Sequence, residues 1–297
     1  MTEPNMVDPV CGTGSSLLAA DFNELRKPCW ISYPRGDVGL RKLRDLIKAP
    51  VSHRPGGMLL YGDSNSGKTT LVRHFQNLRS KSSDDGDDDY PFEGGNATMI
   101  FQSPPYPSTG ALLTGALRSL NAPHQETWHW EKKLAAAVAI LSKTSVRMIV
   151  IDEIHNALTG PHDKRVHFLN TIKYLSNELR IPIVVIGTSL ALSTIQTDQQ
   201  LGSRLVPFKL PKWEADKEFA HFLGRIFVHL KVNPLPAVNS RKFRERFIHM
   251  TDGLTGEIWN LAVLTAEDMH AKTIDIVEEQ MLIDAPWVRP QDRRIES

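Results

Sequence analysis

The sequence contains little cysteine and no long apolar run. Its two cysteines, Cys11 and Cys29, form no CxxC pair, which argues against a disulfide framework or a metal knuckle and favours a reducing compartment. No apolar run reaches the roughly 18–20 residues that span a bilayer. Residues 1–11 lack the basic and apolar regions of a signal peptide. We therefore expect a cytoplasmic protein with no membrane partner.

A strong net charge of either sign is also missing, since the formal net charge is +1. Acidic residues are nevertheless concentrated in one segment, residues 80–96, which contains Asp84, Asp85, Asp87, Asp88, Asp89 and Glu93. We interpret this segment as an acidic surface insertion. The remainder of the chain is mildly basic, which is compatible with nucleic-acid binding but does not demonstrate it.

Short apolar strands alternate with amphipathic helices in the first two thirds of the chain. Strands are predicted at residues 57–61, 98–102, 147–151 and 181–187. This alternation is typical of an α/β fold with a parallel sheet flanked by helices. Strand signals stop after Pro211, and helices are predicted at 213–230, 240–250 and 256–272. The predicted organisation is an extended N-terminal lead-in (1–35), an α/β core (36–211), a small helical lid (212–283) and a C-terminal tail (284–297).

A glycine-rich loop follows the first predicted strand and precedes a predicted helix. It matches the pattern G-x-x-x-x-G-K-[ST] at every fixed position, and its residues are Gly62, Asp63, Ser64, Asn65, Ser66, Gly67, Lys68 and Thr69, with Thr70 next. The glycines let backbone N–H groups converge on a phosphate, and the helix N-terminus adds positive potential. We expect Lys68 to neutralise the β- and γ-phosphates of ATP and the Thr69 hydroxyl to bind Mg²⁺.

Two acids, Asp152 and Glu153, end the third predicted strand. Ligands of open α/β sheets bind at the carboxyl ends of the strands. We expect Asp152 to hold Mg²⁺, directly or through water, and Glu153 to orient and deprotonate the attacking water. The pair is weak evidence alone but strong evidence downstream of a complete P-loop. His155 follows closely, and we interpret it as structural.

Two further polar residues lie near strand or helix ends. Thr188 follows the fourth predicted strand, where its hydroxyl could contact the γ-phosphate or the attacking water, or could cap the following turn. Arg204 lies just before the predicted lid. It could reach the γ-phosphate bound by a neighbouring subunit, as arginine fingers do, or it could be a surface arginine.

Several of these motifs occur in an order that points to a known family. The order is Tyr33-Pro-Arg35, the P-loop, Asp152-Glu-Ile-His-Asn156, Gly187-Thr188, and Ser203-Arg204 followed by Leu210-Pro-Lys-Trp213. With this order, residues 26–272 resemble the TniB/TnsC family of AAA+ transposition ATPases, and TniB most closely. The P-loop and the acidic strand end are shared by many AAA+ proteins, whereas the first and last motifs are narrower.

The resemblance implies an ATPase whose ATP-bound subunits assemble on double-stranded DNA as a hexameric ring or helical filament. It also implies a DDE transposase and a target-selection protein as partners. Lys68, Thr69, Asp152, Glu153, Thr188 and Arg204 would act as P-loop lysine, Mg²⁺ ligands, water activator, sensor and finger, and Tyr33 and Arg35 would lie near the adenine. One departure concerns the lid: Gly256 is followed by Glu257, Ile258 and Trp259, without the sensor arginine of many AAA+ lids.

Two alternatives share the same core. The first is an ATPase of the helicase-loader or replication-initiator type, which would bind a replicative helicase instead of a transposase. The second is a nucleotide-gated DNA scaffold in which ATP binding matters and turnover is not required.

Overall fold

The computed structural model describes residues 19–27, 29–81 and 97–294. Two compact units are present: Ser32–Lys212, and the described part of residues 1–31 together with residues 213–294. Most of the predicted acidic insertion (residues 82–96), much of the N-terminal lead-in and the last three residues of the tail lie outside the described residues.

A five-stranded parallel sheet forms the centre of the first unit. Its strands are β1 Gly57–Tyr61, β2 Thr98–Gln102, β3 Met148–Asp152, β4 Ile183–Gly187 and β5 Leu205–Lys209. Their spatial order is β2-β3-β4-β1-β5, with every neighbouring pair parallel. Strands β3 and β4 are buried along their whole length, because helices cover both faces of a parallel sheet. The predicted α/β class, a parallel sheet flanked by helices, is confirmed.

Strand β5 was not predicted from the sequence. It contains Pro207, and its burial pattern is irregular, with Leu205 and Phe208 buried and Val206 57% exposed. A proline is tolerated here because β5 is the edge strand beside β1 and leaves one side of its backbone unpaired. The strand therefore extends the sheet beyond the four apolar strands that the sequence predicted.

Helices are numbered along the chain. The first unit contains α2 to α8, and a short 3-10 helix at Ile154–Leu158 follows β3. The prediction of an extended lead-in through residue 35 is wrong in two places, since helix α1 forms in the second unit and α2 begins at Pro34, a favourable first helical residue. The bounds are α1 Ala19–Leu25, α2 Pro34–Lys48, α3 Lys68–Lys81, α4 Thr109–Ser119, α5 Trp130–Leu141, α6 His162–Leu179, α7 Ser189–Thr197 and α8 Gln199–Gly202.

The second unit is helical around an aromatic core. Four phenylalanines, Phe219, Phe227, Phe243 and Phe247, are fully buried, and each contributes about 1.5–3 kcal/mol through burial. The three helices predicted after Pro211 are present as α9 (Lys217–His229), α10 (Arg241–Thr251) and α11 (Thr255–Ala271), and a short unpredicted α12 (Glu279–Asp284) follows. Within the described part of the chain, no helix combines the length and apolarity needed to cross a membrane.

Candidate nucleotide site

The carboxyl ends of β1, β3 and β4 lie side by side. Strand β4 lies between the other two, with Tyr61 paired to Gly187 and Ile151 paired to Val185. The chain leaves these three strands into the glycine-rich loop, the acidic pair and Thr188. Three motifs that are far apart in sequence therefore meet at one edge of the sheet, where α/β folds bind ligands.

The glycine-rich loop, Gly62–Thr69, has a backbone that requires glycine at two positions. A Cβ atom on Gly62 would lie 2.4 Å from the carbonyl oxygen of Leu210, which leaves no room for a side chain. Gly67 has a φ of 87°, in the left-handed region that glycine adopts readily. Helix α3 begins at the next residue, Lys68, so its first N–H groups point into the loop, as a phosphate-binding site needs.

Lys68 is held inside this loop. Its Nζ donates hydrogen bonds to the carbonyl oxygens of Gly62 (3.0 Å) and Asp63 (2.5 Å) and to Ser66 Oγ (3.3 Å), and the residue is only 6% exposed. Burial lowers the pKa of the ammonium group, and the carboxylates of Glu153, then Asp152 and Asp63, partly oppose that shift. The loop thus encloses a cation whose nearest anionic neighbours belong to the acidic pair and to the loop itself.

Thr69, the last residue of the glycine-rich loop, is hydrogen-bonded to Asp152 at the end of β3. Thr69 Oγ1 donates to Asp152 Oδ2 at 2.7 Å, and Asp152 Oδ1 accepts from the Glu153 N–H at 2.8 Å. A hydroxyl and a carboxylate are hard oxygen ligands, which Mg²⁺ prefers, and Mg²⁺ is commonly held by one or two carboxylates plus substrate phosphates. The donor set therefore fits a magnesium nucleotide, although the described residues contain no group of three or more His, Cys, Asp or Glu arranged for a metal.

Glu153 has an unusual backbone. Its φ of 55° and ψ of 36° lie in the left-handed region, which is uncommon for a residue with a side chain. The turn places Glu153 at the start of the 3-10 helix, with its side chain 38% exposed and Oε2 3.2 Å from His155 Nε2. Among the carboxylates that favour the charged form of Lys68, Glu153 acts most strongly. Its carboxylate therefore lies near enough to Lys68 to act on that ammonium group electrostatically.

Thr188 lies at the end of β4, between the loop and the acidic pair. The preceding Gly187 accepts a hydrogen bond from the Gly62 N–H at 3.3 Å, which ties β4 to the loop. Thr188 is half-buried and makes no side-chain capping bond to α7. Of the two interpretations left open by the sequence, the capping hydroxyl is not observed.

Arg204 lies at the opposite edge of the sheet, where strands β1 and β5 begin. It precedes β5, its carbonyl oxygen accepts from the Gly57 N–H at 3.0 Å, and Gly57 is the first residue of β1. The four residue steps along β1 span about 13 Å. The structure therefore does not bring Arg204 to the Lys68 of its own chain. A polar cavity of about 680 Å³ opens beside it, lined in part by His53, Arg54, Asn177, Glu178 and Gln200.

Two side chains of α6, one helical turn apart, hold the segment that ends at Arg204. Asn177 Oδ1 accepts from the Arg204 guanidinium at 2.8 Å, and Lys173 Nζ lies 3.1 Å from Asp198 Oδ2. Burial alone would raise the pKa of Asp198, but the backbone N–H of Leu201 and the Lys173 ammonium outweigh it, so the pKa is lowered. Asn177 was not predicted as a functional residue, because nothing in its neighbourhood along the chain marks it.

Tyr33 and Arg35 flank the start of α2. The Arg35 guanidinium donates to the carbonyl oxygen of Lys209 at 3.0 and 2.9 Å and lies 4.2 Å above the Phe208 ring. Lys209 ends β5 opposite Tyr61, so Arg35 lies at the same edge as the glycine-rich loop. Tyr33 is buried, at 8% exposure.

The region after Gly256 lies in the second unit. Glu257 is buried and accepts two hydrogen bonds from the Arg293 guanidinium, at 3.2 and 2.9 Å. Trp259 faces His229, with ring centroids 5.8 Å apart. Glu257 therefore forms a bidentate ion pair with Arg293 of the C-terminal segment. This pair lies in the region where many AAA+ lids carry a sensor arginine.

A parallel sheet in the order 2-3-4-1-5, a glycine-rich loop with a buried lysine, and a hydroxyl–carboxylate pair at the same edge define an AAA+ P-loop fold. The model of one protein family, described as "Bacterial TniB protein", matches residues 22–215. The chain therefore belongs to the TniB family, as the resemblance predicted.

Solved structures share the fold at low sequence identity. Orc1 from Aeropyrum pernix, solved in complex with DNA, is 17% identical with a TM-score of 0.63, over 87% of this chain and 67% of Orc1. Cdc6p from Pyrobaculum aerophilum is 16% identical with a TM-score of 0.55, over 89% and 74% of the two chains. The RuvB branch-migration motor of Thermotoga maritima is 14% identical with a TM-score of 0.52, over 91% and 78%. No curated protein matches the chain in sequence.

Proposed function

We propose that this protein is an ATP-dependent regulator of DNA transposition. It assembles on double-stranded DNA as an ATP-bound ring or filament, and it recruits a DDE transposase to a site chosen with a target-selection protein. The proposal rests on one observation above all: Lys68 and Arg204 lie at opposite edges of the same sheet. A hydrolytic site that uses both residues needs two copies of the chain.

Each residue of the site has a role in ATP hydrolysis. Lys68 and the backbone N–H groups of the loop bind the β- and γ-phosphates, while Thr69 and Asp152 hold Mg²⁺. Bound Mg²⁺ supplies charge neutralisation of the phosphates. Glu153 orients the attacking water and accepts its proton.

Three other residues complete the proposed site. Thr188 contacts the γ-phosphate or the attacking water from the end of β4. Arg204 of a neighbouring copy stabilises the charge of the transition state, as arginine fingers do. Tyr33 and Arg35 lie near the adenine, a placement supported by the hydrogen bonds of Arg35 at the loop edge.

Family membership supports transposition as the process. The assembled protein is expected to contact DNA mainly through phosphates, so binding should weaken as salt rises and depend little on sequence. In this arrangement ATP acts mainly as the signal for assembly, because a bound γ-phosphate gives the neighbour's Arg204 a partner.

Sedimentation of the purified protein tests the proposal. With ATP, Mg²⁺ and duplex DNA the protein should form large assemblies at micromolar concentration, and Lys68→Ala should stay small under the same conditions. A wild-type protein that remains monomeric with ATP and DNA contradicts the proposal.

A pull-down distinguishes transposition from replication. The ATP-bound protein should retain a DDE transposase; retention of a replicative helicase instead would favour the loader function. The scaffold alternative predicts that Glu153→Gln keeps full activity, whereas the regulator should be trapped as an assembly and lose discrimination between targets.

A further inference from the structure

His155 contacts the carboxylate that the proposed mechanism uses as the base. Its Nε2 lies 3.2 Å from Glu153 Oε2, and the two side chains are 24% and 38% exposed, respectively. The contact spans only two residues and lies where the left-handed backbone at Glu153 turns the chain into the 3-10 helix.

The other ring nitrogen of His155 restricts how the ring can bond. Nδ1 is buried and has no hydrogen-bond partner among the described residues. A buried N–H without an acceptor is costly, whereas a bare ring nitrogen is less so. The geometry therefore favours the tautomer with hydrogen on Nε2, the nitrogen that lies 3.2 Å from the Glu153 carboxylate.

The 3-10 helix that carries His155 is packed tightly against β4. A Cβ on Gly187 would lie 2.9 Å from Ile154 Cγ2 and 3.8 Å from the His155 backbone nitrogen. Ile154 itself is fully buried. The backbone of His155 is thus fixed relative to the strand end that carries Thr188, and the ring contacts Glu153 from a rigid support.

We propose that His155 is a positioning residue that holds the Glu153 carboxylate toward the glycine-rich loop. The inference rests on the proposed function, because it assigns Glu153 the role of base. In this role His155 acts through Glu153 and not by contact with nucleotide or water. It removes the freedom of Glu153 to rotate away from Lys68, and misplacement of a base by about 1 Å costs on the order of 100-fold in rate.

Matched variants separate positioning from folding. His155→Gln places an N–H donor near the position of Nε2, whereas His155→Asn places it near Nδ1, where none of the described residues offers a partner. With DNA present, His155→Ala and His155→Asn should lower kcat by about 10- to 100-fold, while His155→Gln keeps most of it. The Kd for ATP should stay unchanged in all three, since Lys68, Thr69 and Asp152 are untouched.

A double-mutant test adds a second constraint. In a Glu153→Gln background, His155→Ala should cause no further loss of hydrolysis, because the carboxylate it positions is gone. Equal loss of kcat in His155→Gln and His155→Asn, or a fall in ATP affinity that matches the fall in kcat, overturns the proposal.

Nitrogen-15 NMR of the histidine rings provides a readout that needs no turnover. The His155 ring, assigned by its loss in His155→Gln, should carry hydrogen on Nε2 and should change its chemical shift in Glu153→Ala. A ring with hydrogen on Nδ1, or one indifferent to Glu153, overturns the proposal. Absence of ATP hydrolysis by the wild type would instead count against the proposed function, and the NMR result would still decide the His155–Glu153 contact.

Discussion

Removal of Arg204 should abolish hydrolysis at the neighbouring subunit's site and leave the subunit's own site competent. The distance supports this, since the strand between the two edges spans about 13 Å and the guanidinium is anchored away from the loop on Asn177 at 2.8 Å. An arginine finger contributes about 10³- to 10⁵-fold to kcat, or about 4–7 kcal/mol of barrier. Arg204→Ala should therefore lower hydrolysis by at least that lower factor without weakening ATP binding.

Mixing two inactive variants provides the decisive assay. Glu153→Gln retains Arg204 but lacks the base, and Arg204→Ala retains the base but lacks the finger. If the finger acts in trans, an interface is active when the Arg204→Ala variant provides the ATP site and the Glu153→Gln variant provides the neighbouring Arg204. In a random equal mixture on DNA, this combination occurs at about a quarter of the interfaces.

The mixture should therefore recover about a quarter of the wild-type rate, measured as phosphate release. Each variant alone, at the same total concentration, is the control. A mixture as inactive as its components, with assemblies confirmed by sedimentation, would show that Arg204 serves its own chain or no site at all, and the two-copy reasoning would be refuted.

Three further changes test how the sheet edges are built. Asn177→Leu removes the acceptor of the Arg204 guanidinium, so it should lower the hydrolysis rate and leave the Kd for ATP unchanged. Asn177→Asp keeps an acceptor and should hydrolyse ATP at close to the wild-type rate. Equal hydrolysis rates for the two variants would contradict this. Gly62→Ala should abolish the rise in melting temperature caused by ATP, since its Cβ meets a backbone oxygen at 2.4 Å, whereas Gly56→Ala, whose Cβ has its nearest neighbour at 3.8 Å, should keep it. Asp198→Asn should lower the free energy of unfolding by about 1–3 kcal/mol at neutral pH, measured by urea denaturation. Because the folded-state pKa of Asp198 is lowered, the stability that its charge contributes is present above the unfolded value of 3.8 and is lost as pH falls through the folded pKa. The difference in unfolding free energy between wild type and Asp198→Asn should therefore shrink in acid. A difference that does not change with pH would exclude the charge as its cause.

Sequence reasoning works well where local pattern and chemistry coincide. Four strands were predicted because each is a continuous apolar run, and the glycine-rich loop because its residue spacing follows from phosphate binding. The parallel register then brings the loop, Asp152 and Thr188 to one edge without further information.

The features that were missed depend on tertiary context. Strand β5 includes Pro207, which only an edge position accommodates. Asn177 lies in the middle of α6 and gains its role from a partner 27 residues away. His155 was interpreted as structural because a lone histidine beside an active site more often is, and the sequence does not signal its 3.2 Å contact with Glu153.

The separation of the two edges also limits how copies of the chain can associate under the proposed function. A contact that joins the Lys68 edge of one copy to the Arg204 edge of the next uses two different surfaces, so it is head-to-tail whenever a pair of copies makes it only once. Such contacts close into a ring or continue as a filament, depending only on the rotation between neighbours. A subunit whose loop edge has no neighbour keeps its ATP, because the missing finger removes most of the rate. A closed ring has no such subunit, whereas a filament has one at the end that exposes a loop edge, so ATP persists at that end while every other subunit can hydrolyse it.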